Sequence, residues 1–321
     1  MTIRNLIICV SCLLMAGCGS NRKAEQFKAL PFPDVLPPAM IESQQDLVDY
    51  MALHWWDGIT EPSRAFPCDT ALVSGVSKDD VEQKFANWTN VLEMVDFPTV
   101  SKSLGRLYDR AYACEKKDTS SNVFETFTGL VVKYLYDPNS PLRNEDYYAV
   151  FADRMASSDL VEEVMQDKYA REVRLAALNK VGSKAADFRF ADIRGKVRTL
   201  YGIKSELTLL FFSNPGCTAC KQIIDVLNND PVISGLIADG TMSVLNIYID
   251  EDLEAWKSYM PIYPDSWYNG FDPDFVIRGE SLYNVRAIPS LYLLDRDKTV
   301  ILKDAPEPKM FDWLSRFAQQ R

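Results

Sequence analysis

Two cysteines at a spacing of three, Cys217-Thr218-Ala219-Cys220, carry the most specific chemistry in the chain. A thiol reacts as its thiolate. If a helix starts at Cys217, its free N–H groups and dipole favour that negative charge. Cys220 then lies one turn on and on the same side, where it can attack a mixed disulfide formed on Cys217. The spacing points to thiol–disulfide exchange, with Cys217 as nucleophile and Cys220 as resolving thiol. A zinc site is the other common use of such a pair, but it asks for about four ligands. The chain has one histidine, His54, and no second usable cysteine pair, so neither a metal nor a cofactor is expected. A peroxidase would ask for a lone activated cysteine in another context.

The elements around this pair are those needed to expose it. Residues 207–212 form an apolar run that reads as a buried strand. Ser213-Asn214-Pro215-Gly216 breaks it, and the helix that Cys217 opens has Ile223, Ile224 and Leu227 on its inner side. Strand patterns recur at 186–192, 195–200 and 242–249, then in a hairpin from Ile288-Pro289-Ser290 to Lys303. A last helix is expected over 308–317. Strand, helix, strand, crossover, hairpin and helix make an α/β layered domain. The excursion over 250–286 is rich in aromatics, among them Trp256, Tyr263, Trp267 and Phe275. Either it borders the cysteines and selects substrates, with Trp267 in contact, or it packs a core of its own.

Residues 39–181 read as helical throughout, with about five or six helices. Ser43 and Ser77 are placed as N-caps. Val81, Phe85, Trp88, Leu92 and Val95 form a stripe at intervals of four and three. Further stripes run through Leu104 to Ala111, through Val123 to Tyr134, and over 144–155. A connector helix is expected over 160–181. This region also holds Cys68, Cys114 and His54-Trp55-Trp56-Asp57. Cys114 continues an apolar face, so a buried thiol is one reading, and a structural Cys68–Cys114 disulfide is the other. The aromatic pair beside His54 could line a docking groove or fill a core. No catalytic constellation is visible here.

The N-terminus reads as an address. Arg4 is followed by an apolar stretch over 6–16, too short to span a bilayer, which takes about 20 residues. Leu14-Met15-Ala16-Gly17-Cys18 resembles the lipobox of bacterial lipoproteins. The resemblance implies a signal peptide over 1–17, lipid on Cys18 and a Pro-containing tether over 18–38. Gly19 is not Asp, so the periplasmic face of the outer membrane is the expected address. A net charge of −10 gives nucleic-acid binding no electrostatic support. With 47% hydrophobic and 12% aromatic residues, the chain has ample material for two cores.

Beyond the spacing, residues 183–321 resemble the thioredoxin-like fold in its TlpA/ResA branch of membrane-tethered reductases. The carriers are Asp187-Phe188, the strand before Cys217, the C-x-x-C at the helix start and Val285-Arg286-Ala287-Ile288-Pro289-Ser290. The resemblance implies a cis-proline at Pro289 facing the cysteines and a substrate backbone lying beside Ile288 and Pro289. The whole chain also resembles Bacteroidales lipoproteins that set a helical domain of unknown function, number 5106, before a thioredoxin-like domain at 182–321. The implied partners are a disulfide-containing protein substrate and an upstream thiol electron donor. Two departures stand out. Phe211 occupies the strand position, and Ile223 the helix position, where relatives place a carboxylate. The alternative to exchange is a partner-binding scaffold with a redox-sensitive domain.

Overall fold

The computed structural model describes residues 28–61, 63–64 and 70–321. Cys18, the signal segment and Cys68 lie outside the described residues. The helical part begins with α1 (Gln44–His54), a small hairpin of β1 (Leu72–Val73) and β2 (Val76–Ser77), α2 (Lys78–Leu92) and α3 (Phe97–Lys117). It continues with α4 (Val123–Val131), α5 (Glu145–Met155) and α6 (Glu163–Ala176). The caps follow the side chains. The hydroxyls of Ser43 and Ser77 accept from the amides of Asp46 and Asp80, and the Asp96 carboxylate accepts from Thr99 N, each three residues on. Val81, Phe85, Trp88 and Leu92 of α2 are all fully buried, as their spacing predicts. Trp56 sits at the centre of this core, with ring contacts to Phe32, Phe85, Trp88 and Phe127. The docking-groove reading of His54-Trp55-Trp56-Asp57 thus gives way to a core role for Trp56, which is 3% exposed.

Two expectations are adjusted here. Residues 30–32, expected within the tether over 18–38, touch the helical part: Leu30 bridges to Val76 and Phe32 packs edge-on against Trp56. The connector helix, expected over 160–181, is α6 and stops at Ala176. Residues beyond it fold back by hydrogen bonds, including Asn179 Nδ2 to Leu282 O at 2.9 Å. Helix α4 ends in a π-helical segment, Val132–Tyr136. The Leu135 carbonyl accepts from Asn144 N, and the Tyr136 carbonyl at its end accepts from Arg286 of the second part.

The second part is a seven-stranded mixed sheet. Its strands are β3 (Arg189–Ala191), β4 (Val197–Thr199), β5 (Leu207–Phe212), β6 (Met242–Tyr248), β7 (Tyr268–Phe271), β8 (Ser290–Leu294) and β9 (Val300–Leu302). They lie in the order β4-β3-β7-β6-β5-β8-β9. The central strands β5 and β6 are parallel, and β8 runs antiparallel to β5. Strand β7, inside the excursion, adds in parallel to β6 and was not foreseen from its Gly-containing sequence. Gly270 is required there: a Cβ would come 2.7 Å from the Phe190 ring of the neighbouring strand.

Side chains alternate between two cores, as the pleat dictates. Leu207, Leu209 and Phe211 join a core with α7 (Thr218–Asn229), α8 (Pro231–Ala238), α9 (Leu253–Tyr259) and α11 (Glu307–Gln319). Leu210 and Phe212 join the opposite core, with Phe188, Tyr283 and Tyr292. Helix α10 (Val276–Gly279) contributes Ile277 to this second face.

Candidate functional site

The cysteine pair sits at the carboxyl end of β5, where a sharp turn feeds α7. Asn214, Pro215, Gly216 and Cys217 have the sequence of a type II turn. Cys217 N donates to Asn214 O at 3.3 Å, and Gly216 has a φ of 73°. That φ explains the glycine, since other L-residues are strained there. Cys217 is the N-cap of α7, and its Sγ accepts from Cys220 N at 3.2 Å. Cys217 and Cys220 form a disulfide with Cα atoms 5.2 Å apart. Cys217 is half-buried, flanked by exposed Gly216, Thr218 and Ala219, whereas Cys220 is 1% exposed. The first cysteine is therefore partly exposed at the surface and the second lies in the core.

The neighbouring strand delivers Pro289. Because Phe212 pairs with Ser290, the residues before Ser290 lie beside the turn that leads to Cys217. The Ile288–Pro289 peptide is cis, as the resemblance implied. Ile288 and Cys217 both pack on the rim of the core that holds Cys220.

Cys220 faces apolar groups. Phe211 is fully buried and Ile223 is 2% exposed, in the same core. The polar groups on this face of β5 and β6 are neutral. Ser213 Oγ donates to Asn246 Oδ1 at 2.5 Å and lies 3.3 Å from Tyr263 OH. Asn246 Nδ2 in turn donates to Asn269 Oδ1 at 3.1 Å. Burial pushes the Tyr263 hydroxyl up from its ordinary value, with the hydrogen bonds to Ser213 and Asn246 working against it. This network was missed in the sequence, since nothing in Ser213 or Asn246 alone marks them as partners across 33 residues. On the outer side, Asn214 Nδ2 donates to Asp250 Oδ2 at 2.6 Å, and Asp250 pairs with Arg278 at 2.9 Å.

Trp267 is a correction. Its ring is 6% exposed and belongs to the core of Cys220, Trp256 and Tyr263. Buried there, it offers a substrate almost no surface, so the aromatics of the excursion chiefly pack the fold. Phe275 is the exception, 42% exposed beside Asp250 and Arg278. Cys114 is a free thiol, 7% exposed, with Sγ 3.4 Å from Thr60 O. That burial fits the first of its two readings, while the second, a disulfide with Cys68, involves a residue outside the described ones. Among the described residues no group of His, Cys, Asp and Glu is placed to hold a metal ion, and no helix is long and apolar enough to cross a membrane.

A C-x-x-C at the start of a helix, a cis-proline at the adjoining strand end and a mixed central sheet define a thioredoxin-like domain, here preceded by a helical one. The chain belongs to the family described as domain of unknown function DUF5106, which matches residues 17–179. It is similar to the crystal structure of a thioredoxin-like protein from Bacteroides caccae, with 34% identity and a TM-score of 0.76, covering 88% of this chain and 97% of that one. The C-terminal domain of an uncharacterized protein from Bacteroides fragilis shares 45% identity, over 43% of this chain and 98% of that one, with a TM-score of 0.42. A domain of a possible thiol-disulfide isomerase from Cytophaga hutchinsonii shares 25% identity, over 45% of this chain and 97% of that one, with a TM-score of 0.37. No curated protein matches the chain.

Proposed function

We propose that this protein is an envelope thiol–disulfide oxidoreductase, lipid-anchored through Cys18 on the periplasmic face of the outer membrane, that reduces disulfides in proteins. The observation that carries the reading is the Cys217–Cys220 disulfide across the first turn of α7, with Cys217 partly exposed and Cys220 buried. In the reduced enzyme, the Cys217 thiolate attacks a substrate disulfide. A mixed disulfide forms and one substrate thiolate leaves. The Cys220 thiolate then attacks Cys217 Sγ, closing the internal disulfide and releasing the second substrate thiolate. Two electrons have passed to the substrate, and an upstream dithiol donor restores the pair. The N-terminus of α7 favours the attacking anion through its free amides and dipole. Ile288 and Pro289 would offer backbone hydrogen bonds to an extended substrate segment.

The soluble chain from Gly19, equilibrated in glutathione or dithiothreitol buffers with free thiols trapped and mapped by mass spectrometry, tests this. Cys217 and Cys220 should cycle together at or below about −200 mV, the range of reducing relatives of the fold. Cys217→Ser should abolish turnover, and Cys220→Ser should accumulate mixed disulfides. A markedly higher potential would point to oxidation or isomerisation instead. A pair that never cycles would leave the second reading, a partner-binding scaffold, which the apolar setting of Cys220 against Phe211 and Ile223 favours. Cys18→Ser should move the protein from the membrane to the soluble fraction.

A further inference from the structure

The segment that carries Ile288 and Pro289 is held at both ends by a buried network that crosses between the two domains. Before the proline, Asn284 Nδ2 donates to Glu145 Oε2 at 2.6 Å. Arg286 donates to the carbonyl of Tyr136, and its guanidinium lies 4.5 Å from the Tyr136 ring centroid. The same guanidinium reaches Asp304 at 2.9 Å and Glu145 at 3.7 Å. After the proline, Ser290 Oγ donates to Asp304 Oδ1 at 2.8 Å. Lys303 closes the ring with Glu145 at 2.8 Å and Asp146 at 3.7 Å. Arg143, from the helical side, donates to the carbonyls of Asp304 and Ala305 at 3.0 and 3.1 Å.

The network balances three carboxylates, Glu145, Asp146 and Asp304, against Arg143, Arg286 and Lys303. All but Asp146 have side chains at most 9% exposed. The helical domain supplies Glu145, and it supplies the Tyr136 carbonyl because the π-helical segment ends there. A guanidinium at a helix C-terminus also meets the negative end of the dipole. Tyr136 is itself held by stacking on Tyr148 at 4.0 Å, and Tyr148 OH donates to Glu172 at 2.5 Å. Buried ion pairs are weak sources of net stability compared with apolar packing, and their better-attested use is to fix one arrangement over others. The residues fixed here flank the two that adjoin the cysteines. A surface that receives an extended chain binds better when it is ordered beforehand.

We propose that the helical domain is a working part of the redox site: Glu145 and the Tyr136 carbonyl are positioning groups that hold residues 284–290, and so Ile288 and Pro289, in place for a polypeptide substrate. This rests on the exchange reading above. The consequence is selective. Protein disulfides need the ordered strand edge, whereas a small disulfide needs only the sulfur of Cys217.

The test uses the full chain from Gly19 with Glu145→Ala and the milder Asn284→Ala, which leaves the ion pairs in place. Hydrogen exchange over 284–290 should quicken by about tenfold or more in both variants, with β5 and β6 unchanged. KM for insulin reduction should rise by about tenfold, while the rate with glutathione disulfide and the potential of the cysteine pair stay within about twofold. A purely structural role would lower stability and affect both substrates alike, and that result overturns the proposal. So does unchanged exchange over 284–290 in the Asn284 variant. If the wild type reduces neither substrate, the exchange reading falls, and hydrogen exchange alone decides whether the helical domain orders the segment.

Discussion

Lys303 Nζ lies 2.8 Å from Glu145 Oε1, and their side chains are 2% and 1% exposed. The pair joins the end of β9 to the first turn of α5, so each domain depends on the other to neutralise a buried charge. Burial pushes the Glu145 carboxyl up, and the charges of Lys303 and Arg286 act against that rise. Removing Lys303 leaves the buried Glu145 with Arg286, at 3.7 Å, as its remaining cation, at a cost of up to about 3–5 kcal/mol. Lys303→Ala should therefore lower stability by that amount, and wild type and variant should each melt in a single calorimetric transition. Two separate transitions in the wild type, with only one shifted by the substitution, would show that the domains unfold independently.

Trp267 is spent in the core, and its substitution should read accordingly. Trp267→Ala should cost about 3–5 kcal/mol, the range for emptying a large buried aromatic site. Well below the melting temperature, KM for a protein disulfide should stay within about twofold of wild type. A tenfold rise in KM in a variant shown to be folded would return Trp267 to the substrate surface.

The redox pair was legible because its chemistry is local. The thiols, the Pro-Gly turn and the helix start are contiguous, and the apolar run of β5 announces a buried strand. Pro289 was placed by resemblance, and the pairing of Phe212 with Ser290 supplies its physical reason. The helical stripes were equally plain, since the spacing of Val81, Phe85, Trp88 and Leu92 is itself the geometry of the buried face. The polar groups that organise the site were not. Glu145 meets Asn284 across 139 residues, and neither neighbourhood differs from that of a solvated side chain. The aromatic run of the excursion misled for a related reason: a ring that lines a groove and a ring that fills a core have the same sequence.

A separate cluster stabilises the turn after α1. Arg106 makes two hydrogen bonds to Asp57, at 2.9 and 2.7 Å, and His54 Nδ1 approaches the same carboxylate at 2.8 Å. Burial raises the Asp57 carboxyl, but the hydrogen bonds from Arg106 and His54 and the charges of Arg110 and Arg106 together hold it below the usual range. A carboxylate with a lowered folded-state pKa adds stability above its unfolded pKa of about 3.9, and loses it as pH falls through the folded value. Asp57→Asn should then cost about 1–2 kcal/mol at pH 7 in denaturant titrations, and progressively less as pH falls from the unfolded pKa towards the lower folded value, below which the wild type also loses its charge. A cost independent of pH would mean that the carboxylate's charge contributes nothing.

Cys114 is a thiol outside the Cys217–Cys220 pair. It is 7% exposed near the end of α3 and lies 3.4 Å from Thr60 O. Burial pushes the thiol up, with Arg110 acting weakly the other way, so the reactive thiolate is scarce near neutral pH. In the native oxidised protein, iodoacetamide should leave Cys114 unmodified over the time that modifies an exposed thiol completely. In denaturant without reductant, Cys114 should be alkylated while Cys217 and Cys220 stay protected by their disulfide. Rapid native labelling would mean that the end of α3 opens readily, against its burial. Protection that persists in denaturant until a reductant is added would mean that Cys114 is paired, and the free thiol would give way to the disulfide with Cys68.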